Sequence, residues 1–294
     1  MIHIENTPNP NSLKFISEKI ISSVGTQPII GTQILFKYKD FTGLIPLIAK
    51  NFEGYKNIIE LSSKSYLDNS SITDPHCNFD DLLNNHIGII VLTGSIRCLI
   101  GRLFNKGLSN ELDEVITKLS NKFKDNFYVE IQRHNDTNEK EFENFNLNIS
   151  KKFNLPIIAT HEVYYLDHNM FEAHDALMCI GEKTYVNDTN RLKLSDQHFF
   201  KSSDQMVELF KDLPEALENN FNFPYRCAFR PLPSKPILPN ISSSDVNANE
   251  LLKKESYNGL NNNFKKIFKI EKFNLSKNKN YIFYKNRLEH EIKI

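Results

Sequence analysis

Four short apolar segments have the length and composition of buried β-strands. They run from Pro28 to Phe36, Ile87 to Leu92, Phe127 to Ile131 and Leu155 to Ala159. Each is rich in aliphatic, β-branched or aromatic residues, and turn-forming or polar residues lie between them. The pattern therefore predicts at least four strands.

Between these segments, apolar residues recur at helical spacing. Leu44, Leu47 and Ile48 lie three and four positions apart. The same spacing recurs over a longer stretch, at Leu112, Val115, Ile116, Leu119 and Phe123. Both sets predict amphipathic helices. Alternation of strands and helices predicts an α/β fold with a parallel sheet.

Polar residues follow three of the predicted strands at the point where each strand ends. Ser95 follows the second strand, His134 the third, and His161 and Glu162 the fourth. In barrel-like α/β folds, ligands and catalytic groups collect at the carboxyl ends of the strands. We therefore expect these side chains to form any functional site.

Composition limits the function classes. The chain has 294 residues, 40% of them hydrophobic, with 36 basic and 36 acidic side chains. It can bury one large core or two modest ones. Zero net charge gives no overall attraction to nucleic acid or membrane, although a local Lys/Arg patch could bind DNA. Because no apolar run approaches the ~20 residues of a membrane span, we expect a cytoplasmic protein.

The four cysteines are scattered, without a C-x-x-C pair. They are Cys77, Cys98, Cys179 and Cys227. This spacing argues against a zinc ribbon, a thioredoxin-type redox pair and a C-x-x-C iron–sulfur site. We expect four reduced thiols, some of them buried.

A series of short sequence words, in a fixed order, carries a family resemblance. They include Glu130–His134, Glu172–Leu177, Phe199–Ser202, Asp212–Leu217 and Arg226–Pro231, and farther on Arg287–Glu291. From about Gln27 to Ile294, the chain resembles the bacterial DNA polymerase III alpha subunit in its polymerase-and-histidinol-phosphatase (PHP) region. The resemblance implies an α/β fold of the PHP-type (β/α) barrel, followed by a helical tail.

The first residues resemble a different family. Asn6–Phe15 is similar to the opening of the N-terminal domain of NifU-like (Nfu) scaffold proteins, over about residues 1–25. That family holds iron–sulfur clusters through a C-x-x-C pair in a separate domain. Since this chain has no such pair, we do not expect it to bind a cluster.

The two resemblances predict three parts: an Nfu-like leader over residues 1–26, a PHP domain truncated at its N-terminus over 27–239, and a linker with a helical segment over 240–294. In the polymerase family, an H-x-H motif and an Asp-His motif supply metal ligands on the first barrel strands. No H-x-H motif occurs here, and no Asp-His pair lies near the first predicted strands. We therefore expect a truncated barrel that lacks its first strands.

The resemblance also bears on the metal site. Metal-binding members carry Glu at the position of Gln33, Cys or His near Ser95, and Asp and His at the positions of Glu162 and Tyr164. A neutral amide and a phenol are poor replacements for those ligands. His134 and Glu162 remain as metal candidates, and we interpret them as members of a vestigial polar network. A divalent metal stays open, but we assign no catalytic or cofactor-binding residue.

The leading hypothesis is a fragment of a DNA polymerase III alpha subunit, with a role in DNA replication. The family's palm carboxylates would lie beyond Ile294, so we expect no polymerase activity from this chain alone. The implied partners are DNA polymerase III subunits, especially the proofreading exonuclease subunit, and DNA. One alternative is a non-catalytic docking module for replication subunits or DNA. A weaker alternative is a metal-dependent PHP phosphoesterase.

Overall fold

The structure, a computed structural model, describes residues 27–68, 75–227, 229–230, 236, 247–268 and 278–293. Contacts divide the chain into two units, with the boundary between Pro233 and Ser234. The predicted leader, residues 1–26, lies outside the described residues, as does the predicted boundary after residue 239. Those domain limits stay predictions.

The first unit is built on a six-stranded sheet. Its strands are β1 (Gly31–Tyr38), β2 (Phe41–Ala49), β3 (Cys77–Asn78), β4 (Ile89–Leu92), β5 (Phe127–Ile131) and β6 (Ile157–Ala159). Their order across the sheet is β3-β1-β2-β4-β5-β6. Strands β4, β5 and β6 run parallel, which brings their carboxyl ends to one edge.

The other half of the sheet corrects two predictions. β1 pairs antiparallel with β2 from Gly31 opposite Ile48 to Tyr38 opposite Phe41, and β2 is also antiparallel to β4. The sheet is therefore mixed rather than wholly parallel. The helix predicted from Leu44, Leu47 and Ile48 is wrong, because these residues lie in β2. Five consecutive β2 residues, 45–49, are buried, so the strand shows no polar alternation and its apolar spacing resembles that of a helix.

Eight helices accompany the sheet in the described part of the first unit. They are α1 (Phe52–Leu67), α2 (Phe79–Asn84), α3 (Leu99–Asn105), α4 (Ser109–Phe123), α5 (Glu139–Phe153), α6 (Phe171–Glu182), α7 (Ser203–Leu209) and α8 (Pro214–Arg226). Single 3-10 turns lie at Lys124–Asn126 and His168–Met170. The helix predicted around Leu112–Phe123 is confirmed as α4, whose five apolar positions are all buried.

The parallel strands bury side chains on both faces. Ile89 and Phe127 belong to the main hydrophobic core, which also includes residues of α1, α3 and α4. Ile90 and Tyr128, the next residues along the same strands, point to a smaller core that contains Phe223 of α8. Side chains alternate across a strand, so these short all-apolar strands need cover on both sides.

Two asparagines of α8 cover the outer edge of β6. The Asn220 side chain accepts from the Ala159 amide at 3.1 Å and donates to the Ala159 carbonyl at 2.6 Å. Asn219 donates to the Ile157 carbonyl at 2.7 Å. These amide side chains supply the backbone bonds that another strand would make.

The described residues of the second unit contain two helices, α9 (Ala248–Phe268) and α10 (Lys279–Lys293). Phe264 is buried against Tyr281 and Tyr284, with ring centroids 5.4 and 6.1 Å away. Lys265 and Lys266 are exposed. Among the described residues, no helix is long and apolar enough to cross a bilayer. The expected α/β fold class with a helical segment after the sheet is confirmed. That the fold is a barrel without its first strands stays a prediction.

Candidate functional site

Four chain segments meet at the carboxyl ends of the parallel strands. Three of them, 93–98, 132–136 and 160–164, directly follow β4, β5 and β6. The fourth, 195–199, lies beside the third: the Tyr164 amide donates to the His198 carbonyl at 3.0 Å, and Tyr165 forms a β-bridge with Phe199. The site therefore combines residues more than a hundred positions apart in sequence.

Three imidazole rings stack at the centre of this site. His134 lies between His161 and His198, with centroid distances of 4.4 and 4.2 Å. The planes of His134 and His198 differ by 5°. Tyr164 packs edge-on against His198 at 5.3 Å. His134 and His198 are fully buried, so the rings form an internal column.

Both ring nitrogens of His134 already have partners. The Glu162 amide donates to His134 Nε2 at 3.1 Å, so that nitrogen carries the lone pair. His134 Nδ1 then carries the proton and faces Glu139 Oε1 at 3.3 Å. The Glu139 carboxylate also accepts from the amides of His134 and Asn135, at 2.7 to 2.8 Å, which fixes the loop.

Arg97 bridges the two carboxylates of the site. Its Nη2 lies 2.7 Å from Glu162 Oε2, and its Nη1 lies 3.3 Å from Asp136 Oδ2. The Arg97 side chain is 31% exposed, whereas those of Asp136 and Glu162 are 15% and 14% exposed. Burial disfavours the charged guanidinium, but the combined attraction of Glu162 and Asp136 offsets this effect and raises the pKa of Arg97.

The fourth segment contributes His198. Its Nδ1 contacts the Glu162 carbonyl at 3.2 Å, and its buried Nε2 has no hydrogen-bond partner. That Nε2 faces Asp136 Oδ1 at 3.9 Å. Burial opposes the charge of Asp136, but His198 and Arg97 offset this effect and hold the pKa of the carboxyl below its usual value.

Glu130 lies below this cluster, near the end of β5. Burial raises its pKa to about 7, although its Oε1 accepts hydrogen bonds from Thr160 and Gln132. Glu130 and Asp136 line a cavity of about 10 Å³. That volume is close to the minimum for one water molecule and is too small for a phosphoester substrate.

The residues do not fit the divalent ions that the family resemblance implies. His134, Asp136 and His198 lie close enough to share one ion. However, the His134 lone pair already accepts a hydrogen bond. The rings of His134 and His198 are also parallel. Their in-plane lone pairs therefore lie in two separate parallel planes and do not point toward one ion. Coordination by both rings would therefore require the stack to break.

The structure brings the two predicted metal candidates together but adds site residues that sequence reasoning missed. His134 and Glu162 contact each other through the Glu162 amide. Their role as metal candidates stays a prediction. Arg97, Asp136 and His198 were missed. Arg97 and Asp136 follow strand ends, so that signal could have found them, whereas His198 lies in an irregular segment with no local signal.

Comparison with known proteins identifies relatives. Residues 11–134 match the family model described as PHP domain. The chain is 34% identical over 274 residues to "DNA polymerase III subunit alpha" of Rickettsia bellii, covering 92% of this chain and 23% of the relative. It is 34% identical over 215 residues to the protein of the same name from Caulobacter vibrioides, covering 73% and 19%. For the Haemophilus influenzae protein the identity is 31% over 278 residues, covering 92% and 23%.

The chain spans about a fifth of the length of the curated relatives it matches. The comparisons do not support the predicted Nfu-like leader. The PHP match begins at residue 11 and so includes residues 11–25 of that leader. The chain thus contains a PHP domain and is homologous to these subunits over most of its length.

Proposed function

We propose that this chain, with its PHP domain and its homology to DNA polymerase III alpha subunits, serves DNA replication as a non-hydrolytic module that docks other replication proteins. The proposed role implies a cytoplasmic location. The implied partners are other DNA polymerase III subunits, the proofreading exonuclease subunit first among them, and DNA.

The observation that carries the non-hydrolytic part is the pairing of Arg97 with Glu162 and Asp136. Metal-dependent phosphoester hydrolysis needs open carboxylate and imidazole ligands that hold divalent ions and activate water. Here the Arg97 guanidinium pairs with both carboxylates, and both ring nitrogens of His134 already make hydrogen bonds. These contacts are typical of a structural ion-pair network.

Binding to the proofreading exonuclease subunit tests the docking part. The purified chain is first checked for a cooperative thermal transition and then mixed with the purified exonuclease subunit. We expect a stable complex by size-exclusion chromatography. A folded sample that binds neither the exonuclease subunit, another polymerase III subunit nor primed DNA would contradict the proposal.

The second candidate is a phosphoesterase, favoured by the proximity of His134, Asp136 and His198. It predicts hydrolysis of p-nitrophenyl phosphate that depends on Mn²⁺ or Zn²⁺. We expect no turnover above that of a mock preparation. Turnover that follows the protein through purification and disappears in Asp136→Asn would establish the phosphoesterase instead.

A further inference from the structure

One face of α6 is apolar and exposed to solvent. Met170, in the turn before the helix, is followed by Ala173, Leu177 and Ile180 at spacings of three, four and three residues. Residues at this spacing lie in one stripe along a helix. Met170 is 43% exposed, Leu177 64% and Ile180 76%, and Ala173 is also exposed. Helices pair through apolar stripes of this spacing in coiled coils.

The opposite face of α6 holds the helix on the domain. Cys179 is buried, and the buried Asp175 carboxylate accepts from both terminal nitrogens of Arg191 at 2.6 Å. These contacts fix the helix with its apolar stripe outward. The stripe therefore contributes little to the core of its own domain, and a partner that binds it loses little free energy to ordering the helix.

We propose that this stripe is the contact between two copies of the chain, which pair through antiparallel α6 helices about a two-fold axis. Such a contact requires a surface that is complementary to itself. Pairing through β6 is disfavoured, because side chains of α8 already occupy the outer edge of that strand. The inference does not depend on the docking role proposed above.

The shape of the stripe fits a reversed copy of itself. With the two-fold axis beside Leu177, Ile180 of one copy lies opposite Ala173 of the other. A large side chain then meets a small one at both ends of the contact, as close packing requires. Gly181 adjoins the stripe and has open space at its Cβ position, so it presents no side chain to the approaching helix.

The charges beside the stripe fit the same arrangement. Glu172, in the first turn of α6, and Lys183, at its C-cap, are both exposed. They are separated by about three full turns and therefore lie on the same flank of the helix. Reversal of the second helix places Glu172 of each copy beside Lys183 of the other, whereas a parallel pair would align like charges. Glu182 lies on the opposite flank.

Sedimentation velocity of the full chain, from about 1 to about 200 µM, tests the proposal. We expect the apparent mass to rise with concentration from 34.2 kDa toward twice that value. Leu177→Glu places a charge beside the axis in both copies and should raise the dissociation constant at least about tenfold. Leu67→Glu is the matched control, because Leu67 ends α1 and is 81% exposed. It should leave the dimer unchanged.

Charge reversal tests the antiparallel orientation. Glu172→Lys and Lys183→Glu should each weaken the dimer, because each places like charges side by side across the contact. The double variant Glu172→Lys/Lys183→Glu restores opposite charges and should recover the dissociation constant of the natural chain. A contact elsewhere on the surface would give no such recovery.

Oxidative cross-linking keeps the test decisive if Leu177→Glu does not fold. The four native thiols are buried, so Leu177→Cys adds an exposed thiol close to the axis. Mild oxidation should link this variant into a covalent dimer and leave Leu67→Cys monomeric. The proposal is overturned if the natural chain stays monomeric over the whole range, whatever else binds the stripe. It is also overturned if Leu67→Glu weakens the dimer as much as Leu177→Glu, if the double charge reversal fails to restore it, or if the two cysteine variants cross-link equally.

Discussion

His161 stacks on His134 with the ring centroids 4.4 Å apart and the planes 29° apart. Its Nε2 donates to the Gln197 carbonyl at 2.8 Å, which leaves Nδ1 buried without a partner. Burial, followed by the nearby His134 and Lys201, lowers the pKa of His161 to about 3. The ring is therefore held neutral.

This neutral ring should make folding sensitive to acid. The pKa of an unfolded histidine is ~6.5, so between pH ~6.5 and ~3 the unfolded chain binds a proton that the folded chain does not. Folding stability should fall as the pH drops through this window. His161→Phe keeps an aromatic ring but cannot titrate, so it should lose less stability on acidification. Urea unfolding at pH 7.5, 6 and 5 would measure the difference. If the unfolding free energies of the variant and the natural chain change equally with pH, the lowered pKa of His161 is refuted.

The titration of Glu130 should change folding stability in the opposite direction. Burial raises its pKa to about 7, whereas an unfolded glutamate titrates near pH ~4.3. Between these values the folded state binds the extra proton, so stability is lost as the pH rises, by up to about 4 kcal/mol. Glu130→Gln should remove this loss. Its unfolding free energy relative to the natural chain should therefore be higher at pH 8 than at pH 5.

The two titrations overlap and partly cancel in the natural chain, so the single variants are needed to separate them. A relative stability of Glu130→Gln that does not change with pH would show that Glu130 has an ordinary pKa. His161→Phe serves as the control for general effects of a substitution in this site.

Arg133 joins α5 to the segment before α8. It pairs with Glu143 at 2.5 Å and with Asp212 at 2.7 Å, and it donates to the Leu209 carbonyl at 2.6 Å. Removing one partner of a mostly buried pair leaves the other charges uncompensated. Arg133→Ala should cost about 2–4 kcal/mol of unfolding free energy.

The exposed pair of Lys211 with Glu208 provides a matched control. Lys211→Ala should change stability by no more than ~0.5 kcal/mol. Chemical denaturation of both variants measures the contrast. Equal effects would mean that the Arg133 contacts contribute no more than a surface pair.

Gly54 shows where the fold tolerates no side chain. A Cβ at this position would lie 1.8 Å from the carbonyl oxygen of Gly88, which belongs to the segment before β4. Gly54→Ala should destabilise the chain by about 3 kcal/mol or more, because backbone rather than a flexible side chain must move. Gly181 in α6 has open space around its Cβ position, so Gly181→Ala should be neutral or stabilise by ~0.5 kcal/mol. Thermal melts of both variants would test this contrast. Similar losses of stability would contradict the close approach of Gly54 to Gly88.

The helices and strands that sequence reasoning found have strong local signals. α4 repeats apolar residues at helical spacing over three turns, and β5 is a compact apolar run. The failure at β2 is equally local: residues 45–49 are all buried, so the strand lacks alternation. The antiparallel direction of β1 and β2 depends on the turn at Lys39, whose φ of 52° is not encoded by glycine.

The site residues also divide into those with a local sequence signal and those without one. Polar residues after strand ends located His134 and Glu162, because parallel strands bring their carboxyl ends together. His198 reaches Glu162 across 36 positions of sequence, through a segment without regular structure. The charge that Arg97 supplies could not be inferred before its distance to Glu162 was known.

The side chains of Asn219 and Asn220, which bind the outer edge of β6, affect how this protein behaves at high concentration. A bare border strand offers a template on which a second molecule can add its own strand, and this is a common start of aggregation. Asn219 and Asn220 occupy the Ile157 carbonyl and both backbone groups of Ala159. Two polar residues on one helix thus help to keep neighbouring molecules apart in solution.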